Sequence, residues 1–90
     1  MVKKIKIKNR FIITGRGLVL NISLKENGFS RDLGSSEVFD LRGEQIDVDG
    51  RRYLVRSIEC GQTLMTSPVL TDGVGLIVRP VIIKKKSKAT

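Results

Sequence analysis

The chain has 90 residues, a net charge of +8, one cysteine and no histidine. A chain of that length buries roughly 60–65 % of its unfolded surface, enough for one modest core that folds alone without metal or disulfide support. With no histidine, no P-loop, a lone thiol and no convincing carboxylate pair, nothing supplies a nucleophile with its base, a metal cage or a phosphate cradle, so the sequence reads as a binding module rather than an enzyme, with no cofactor and no small-molecule substrate.

Apolar runs of three or four residues are too short to span a membrane, and none follows the basic start as a signal sequence would require. With a single cysteine, this points to a reducing cytoplasm.

From the N-terminus, Lys4-Ile5-Lys6-Ile7-Lys8 alternates strictly, which in a strand places both isoleucines on one face and the lysines on the other. Phe11-Ile12-Ile13-Thr14 and Leu18–Leu24 flank the turn Gly15-Arg16-Gly17, and Leu18, Leu20, Ile22 and Leu24 share a face as core candidates. Asn27-Gly28 carries turn chemistry, and residues 29–36 show no period and read as a loop. The apolar pattern returns at Val38, Phe39 and Leu41, turns at Arg42-Gly43-Glu44 and continues through Gln45–Val48.

Asp49-Gly50 favours a type I′ turn, which predicts a tight hairpin between Gln45–Val48 and Arg51–Ile58. On the returning strand Tyr53, Val55 and Ser57 face one way and Leu54, Arg56 and Ile58 the other, with a bulge able to decide which face is core. Leu64–Leu70, broken by Pro68, reads as a loop plus a short strand; Asp72-Gly73 turns into Val74–Val78, and Arg79-Pro80 marks where regular pairing ends. No segment sustains a 3.6-residue period, so little or no helix is expected. Short strands divided by glycine turns predict an all-β fold: a small closed barrel of six or seven strands, one domain over residues 1–83 with a basic tail at 84–90.

The charge is gathered at the ends. Residues 1–10 hold Lys3, Lys4, Lys6, Lys8 and Arg10 with no acid, residues 79–90 hold Arg79, Lys84, Lys85, Lys86 and Lys88 with none, and residues 11–78 balance seven bases against nine acids. If the terminal strands lie together, these merge into a positive stripe for phosphate; as ordinary edge lysines they would keep a small β protein soluble. Arg51, Arg52 and Arg56 on the hairpin offer a second basic patch, and turn arginines are commonly just solvated. Arg16, held between glycines, either clasps a phosphate or a partner's carboxylate or locks its own turn, the lock being the favoured reading.

Base reading would need stacking aromatics, and only Phe11, Phe29, Phe39 and Tyr53 are present. Phe11 and Phe39 fall in apolar patterns and are expected in the core, while Phe29 is expected to pack as a lid. Cys60 has nothing to activate its thiolate and is expected to be inert. Asp47 and Asp49 share a strand face but read as a solvated edge rather than a cation site. The lysine tail lacks an apolar anchor, so no membrane binding is expected.

Three stretches resemble a known family, the second-domain β-barrel of translational GTPases such as elongation factor Tu. Phe11–Val19 resembles its Phe-x-Ile-x-Gly-Arg-Gly-x-Val opening, Leu41–Gly50 followed by Val55–Glu59 resembles its central hairpin, and Asp72–Arg79 resembles its closing Gly-x-x-Val-Gly-Leu-x-Leu-Arg strand with one residue fewer between the acidic turn and the valine, in order and over about residues 11–79. The residues at Asn27–Glu37 depart from that pattern, Glu44 stands where the family has aspartate, and no nucleotide-binding motif occurs in these residues. The resemblance implies a solitary barrel without GTP hydrolysis of its own. In the family this barrel packs on the GTPase domain and touches RNA.

Two functions follow as expectations: a non-catalytic module that binds RNA or a ribonucleoprotein, such as the ribosome, through its basic termini, or a protein-interaction module that docks on a larger assembly or neutralises a protein partner.

Overall fold

Glycine turns cut the chain into hairpins, and the two-residue alternation decides which side chains of each strand turn inward. A computed structural model describes residues 2–64 and 67–82. Their strands are β1 (Lys3–Lys4), β2 (Ile7–Ile13), β3 (Gly17–Ser23), β4 (Gln45–Val48), β5 (Arg51–Glu59), β6 (Gln62–Leu64), β7 (Ser67–Leu70) and β8 (Gly73–Pro80). Six of them form one sheet in the order β1-β4-β5-β8-β3-β2, parallel between β1 and β4 and antiparallel elsewhere, while β6 and β7 pair with each other.

Local chemistry explains both tight hairpins. Between β2 and β3 the Arg16 N–H donates to the Ile13 carbonyl at 2.9 Å, and Gly15 takes φ +88°, a conformation that a side chain resists. Between β4 and β5, Asp49 and Gly50 both have positive φ, 53° and 85°, as a type I′ turn requires, and the Asp47 carboxylate accepts the Gly50 N–H at 2.8 Å.

The core sits on one face of the sheet. Leu20, Ile22 and Leu24 pack there with Ile46, Val48, Tyr53, Val55, Val74, Leu76 and Val78, and the loops add Phe29, Val38, Leu41 and Leu70. Leu18 is only partly buried at its margin. A bulge at Arg56, where the β5–β8 register passes from Val55↔Val78 to Ser57↔Ile77, shifts the alternation and returns Ile58 to the core side.

The alternation of residues 4–8 appears as expected, with Ile5 buried, Ile7 half-buried and the lysines exposed. The strand nevertheless breaks at Ile5 and Lys6, because the segment leaves β4 there to pair with β3. Its backbone stays bonded across the break: Ile5 N–H donates to the Asp47 carbonyl, Lys6 N–H donates to Asn27 Oδ1 at 2.8 Å, and Asn27 Nδ2 donates back to the Lys6 carbonyl at 3.0 Å. β1 and β2 are the two edges, and no ladder among the described residues joins them, so the hydrogen-bonded sheet is open.

Two aromatic placements need correction. The Val38-Phe39-Leu41 pattern is taken up by a 3-10 helix over Glu37–Leu41, capped by the Ser36 hydroxyl. Three residues per turn bring Val38 and Leu41 to one buried face and leave Phe39 off it, 36 % exposed. Phe11 lies opposite Val19 on the face away from the core and is 44 % exposed. Phe29 does pack as a lid, 7 % exposed, with the Lys3 ammonium 5.2 Å from its ring centroid.

The loop before the 3-10 helix is fastened to β7. Leu70 N–H donates to the Arg31 carbonyl and Leu33 N–H to the Pro68 carbonyl, both at 2.7 Å, while Arg31 Nε donates to the Leu70 carbonyl at 2.8 Å.

Candidate nucleic-acid interface

Because Tyr53 and Val55 are buried in the core, alternation turns Arg52, Leu54 and Arg56 to the outer face of β5. Pairing brings Arg79 of β8 opposite Leu54, and Gln45 of β4 lies opposite Leu54 on its other side. Arg52 pairs in register with Asp47, which in turn pairs with Lys4. One outer surface therefore carries Lys4, Arg52, Arg56 and Arg79 across four neighbouring strands. Arg52 and Arg56 are about 13 Å apart along β5.

Among the described residues the one ion pair joins Arg16 Nε to Glu59 Oε2 at 2.6 Å, and none of Lys4, Arg52, Arg56 or Arg79 enters a side-chain hydrogen bond. Asp47 is their nearest in-register carboxylate, and its Oδ1 is engaged by the Gly50 N–H. Arg79 and Arg56 are exposed; Arg52, expected to be exposed at the hairpin tip, is half-buried, and its carbonyl accepts the Val81 N–H at 3.0 Å. Arg51, beside the turn, is exposed.

The remaining basic residues fall into separate groups. Lys3 stands over Phe29, Lys6 sits at the strand break, and Lys8 and Arg10 lie on edge strand β2. The N-terminal bases thus follow one segment that pairs first with β4 and then with β3, and the stripe expected of them together with the C-terminal lysines falls in part on residues outside those described. Lys84, Lys85, Lys86 and Lys88 lie outside the described residues.

Arg16 takes the locking role: its guanidinium is tied to Glu59, a contact between the β2–β3 turn and the end of β5. The same turn borders a hollow of about 260 Å³ lined by Gly15, Arg16, Arg56, Ser57 and Ile77, which brings Arg16 and Arg56 to one depression of the outer face. Alternation already sets Leu54 beside Arg56, whereas Gln45 joins this face only through strand pairing and Ser57, expected on the side of Tyr53 and Val55, is brought to it by the bulge.

A second cleft, about 480 Å³, lies between Lys4, Lys6, Glu26, Asn27, Asp47 and Asp49. Its charges are mixed, and among the described residues no cluster of acids or thiols could hold a metal ion. Asp47 serves its turn instead. Two carboxylates elsewhere sit below their ordinary range. The Ser23 hydroxyl, at 2.6 Å, and the Lys25 N–H, at 2.8 Å, stabilise the ionised form of Asp72, and the Ser30 N–H, at 3.1 Å, together with its own N–H does so for Glu37. Both are anchors of loops, remote from the arginine face. Cys60 is exposed and free. No helix among the described residues is long and apolar enough to cross a membrane.

Comparison of the chain with protein-family models, with curated proteins and with solved structures gives no match.

Proposed function

We propose that the protein is a non-catalytic RNA-binding module of the cytoplasm, associated with the ribosome or another ribonucleoprotein, whose outer sheet face engages backbone phosphates. The observation that carries this reading is the set of cations, Arg52, Arg56 and Arg79 with Lys4, that the fold gathers on one face without internal partners. Guanidinium groups suit phosphate because their planar donors can bond two oxygens at once. The one exposed aromatic on that side of the sheet is Phe11, out on β2 and away from Arg52 and Arg79, so recognition works through shape and backbone charge, and the lysines of residues 84–88 add sequence-independent attraction.

The architecture we propose is the small barrel of the second domain of translational GTPases. Its support is the three motifs in register together with the topology: β1 and β2, the two edges, are consecutive pieces of one segment separated by Ile5 and Lys6 alone. Taken as a single strand, that segment runs from one edge to the other and closes the sheet.

The test is fluorescence anisotropy with labelled single-stranded and hairpin RNA across a salt series. The intact chain should bind with an affinity that falls linearly on a log–log plot against salt. Substituting Arg52→Ala, Arg56→Ala and Arg79→Ala together should reduce the slope by about 2. Replacing Lys84, Lys85, Lys86 and Lys88 by glutamine should weaken binding at low salt. Affinity that is flat with salt, or unchanged by both sets of substitutions, overturns the proposal.

A further inference from the structure

The two edges of the main sheet are treated differently. β1 is two residues long, the adjoining Ile5 is buried, and the Asn27 amide satisfies both backbone groups of Lys6. β2 runs for seven residues, pairs among the described residues with β3 alone and is exposed along its length apart from its half-buried ends. A free edge of that length presents alternate N–H and C=O groups ready to receive another strand.

Proteins blunt such edges with charges, bulges or proline. The first half of β2 has those devices: a register shift at Lys8, and Arg10 opposite Leu20 on the core side of the sheet yet exposed. The second half, Phe11-Ile12-Ile13, has none. Ile12 is 81 % exposed beside partly buried Leu18, and Phe11 is 44 % exposed beside buried Val19, itself in register with buried Ile77. Two apolar rows, one on each face, thus run outward to the edge and stop there uncovered.

From this we propose that the free edge of β2 is a docking strand for an extended, acidic and apolar segment of a partner protein, which adds to the sheet beside Ile7–Ile13. Charge selects the occupant. Residues 1–25 contain no acid, so carboxylates on the incoming strand meet the exposed cations Arg10 and Lys8, the latter shared with the nearby Asp72 carboxylate, while its apolar side chains extend the rows that end at Phe11 and Ile12. A second copy fits poorly, since symmetric pairing of a seven-residue strand about its midpoint sets Arg10 against Arg10. The chain's own residues 84–90 carry four lysines and no acid, and are repelled in the same way. This edge lies at the other end of the sheet order from β4, and its outer row reaches Ile77 beside the hollow of Arg16 and Arg56, so the experiment has to separate peptide from RNA.

The experiment titrates the intact protein with a short synthetic peptide that carries aspartate and glutamate in one half and valine, isoleucine and phenylalanine in alternate positions of the other. Amide hydrogen exchange is followed on β2. Binding should slow exchange of the exposed β2 amides about tenfold or more, and a scrambled peptide should not. Ile12→Asp, at a solvent-exposed position, should abolish that protection while leaving the exchange of β3 and β8 in the free protein unchanged. Lys8→Glu with Arg10→Glu should transfer the preference to a lysine version of the peptide. Failure of the peptide to bind, binding that leaves β2 amides unprotected, or protection of β2 by RNA in place of the peptide overturns the proposal.

Discussion

The two faces of the six-stranded sheet are made from alternate residues of the same strands, yet they obey different physical rules. On the core face Leu20, Ile22, Val55 and Leu76 are removed from water altogether, and their identity is dictated by volume. On the outer face Arg52, Arg56 and Arg79 have no ion-pair partner among the described residues. If the outer face binds RNA, folding and binding information are interleaved at a spacing of one residue along β5, so substitutions at neighbouring positions should separate them.

The largest effect is expected on the core face. Ile22→Ala or Leu20→Ala empties a fully buried site between β3 and its neighbours and should cost about 3 kcal/mol, a large share of the stability of a domain this size. Urea unfolding would show the shift in midpoint. RNA affinity per folded molecule should be unchanged, and a parallel loss of affinity would break the division between the faces. By contrast, Arg56→Ala should move the urea midpoint by no more than about 0.5 kcal/mol while lowering the salt slope of RNA binding by about 0.7.

Turn chemistry offers the next effect. Gly50 holds φ +85° in the β4–β5 turn and has open space where a methyl group would project, so Gly50→Ala is penalised by backbone strain alone. A loss of about 1 kcal/mol is expected, read by thermal unfolding. If that turn also orients Arg51 and Arg52 for phosphate, the variant loses affinity beyond what its stability explains.

Acid provides a finer probe. Asp72 joins the end of β3 to the start of β8, through the Ser23 hydroxyl and the Lys25 N–H, and its carboxyl is held below the ordinary aspartate range in the folded state. A depressed folded value means that its contribution is present above the unfolded aspartate range and is lost as pH falls through the folded value. Asp72→Asn should therefore flatten the acid limb of the stability profile and leave the shape near neutrality unchanged, as measured by urea midpoints over a pH series. Glu37, bonded by the Ser30 N–H, responds in the same direction.

Much of the core face could be read from the sequence because period and burial coincide there. Leu20, Ile22 and Leu24 alternate, Asp49-Gly50 fixes the hairpin register, and Pro80 ends the last strand of the sheet. The failures have a common cause. Phe11 and Phe39 are apolar residues in apolar runs, and only pairing partners and a three-residue helical period reveal that they point away from the core. The outer face was legible as a set of basic residues but not as a surface, since Arg79 is far in sequence from Arg52 and Arg56 and joins them only through β5–β8 register. The role of Asn27 in holding Lys6 across the strand break was likewise hidden behind its turn signal.

The smallest stability effect carries the sharpest functional reading. Arg16 and Glu59 are both about half-exposed, with side chains 52 % and 46 % accessible, so their ion pair contributes less than about 1 kcal/mol. Glu59→Gln should accordingly leave the urea midpoint nearly unmoved. It also removes the carboxylate that occupies Arg16, next to the hollow shared with Arg56. If the outer face binds phosphate, releasing Arg16 adds a cation to it, and the salt slope of RNA binding should steepen by as much as about 0.7. An unchanged slope would confine Arg16 to holding its turn and leave the arginines of β5 and β8 as the working surface.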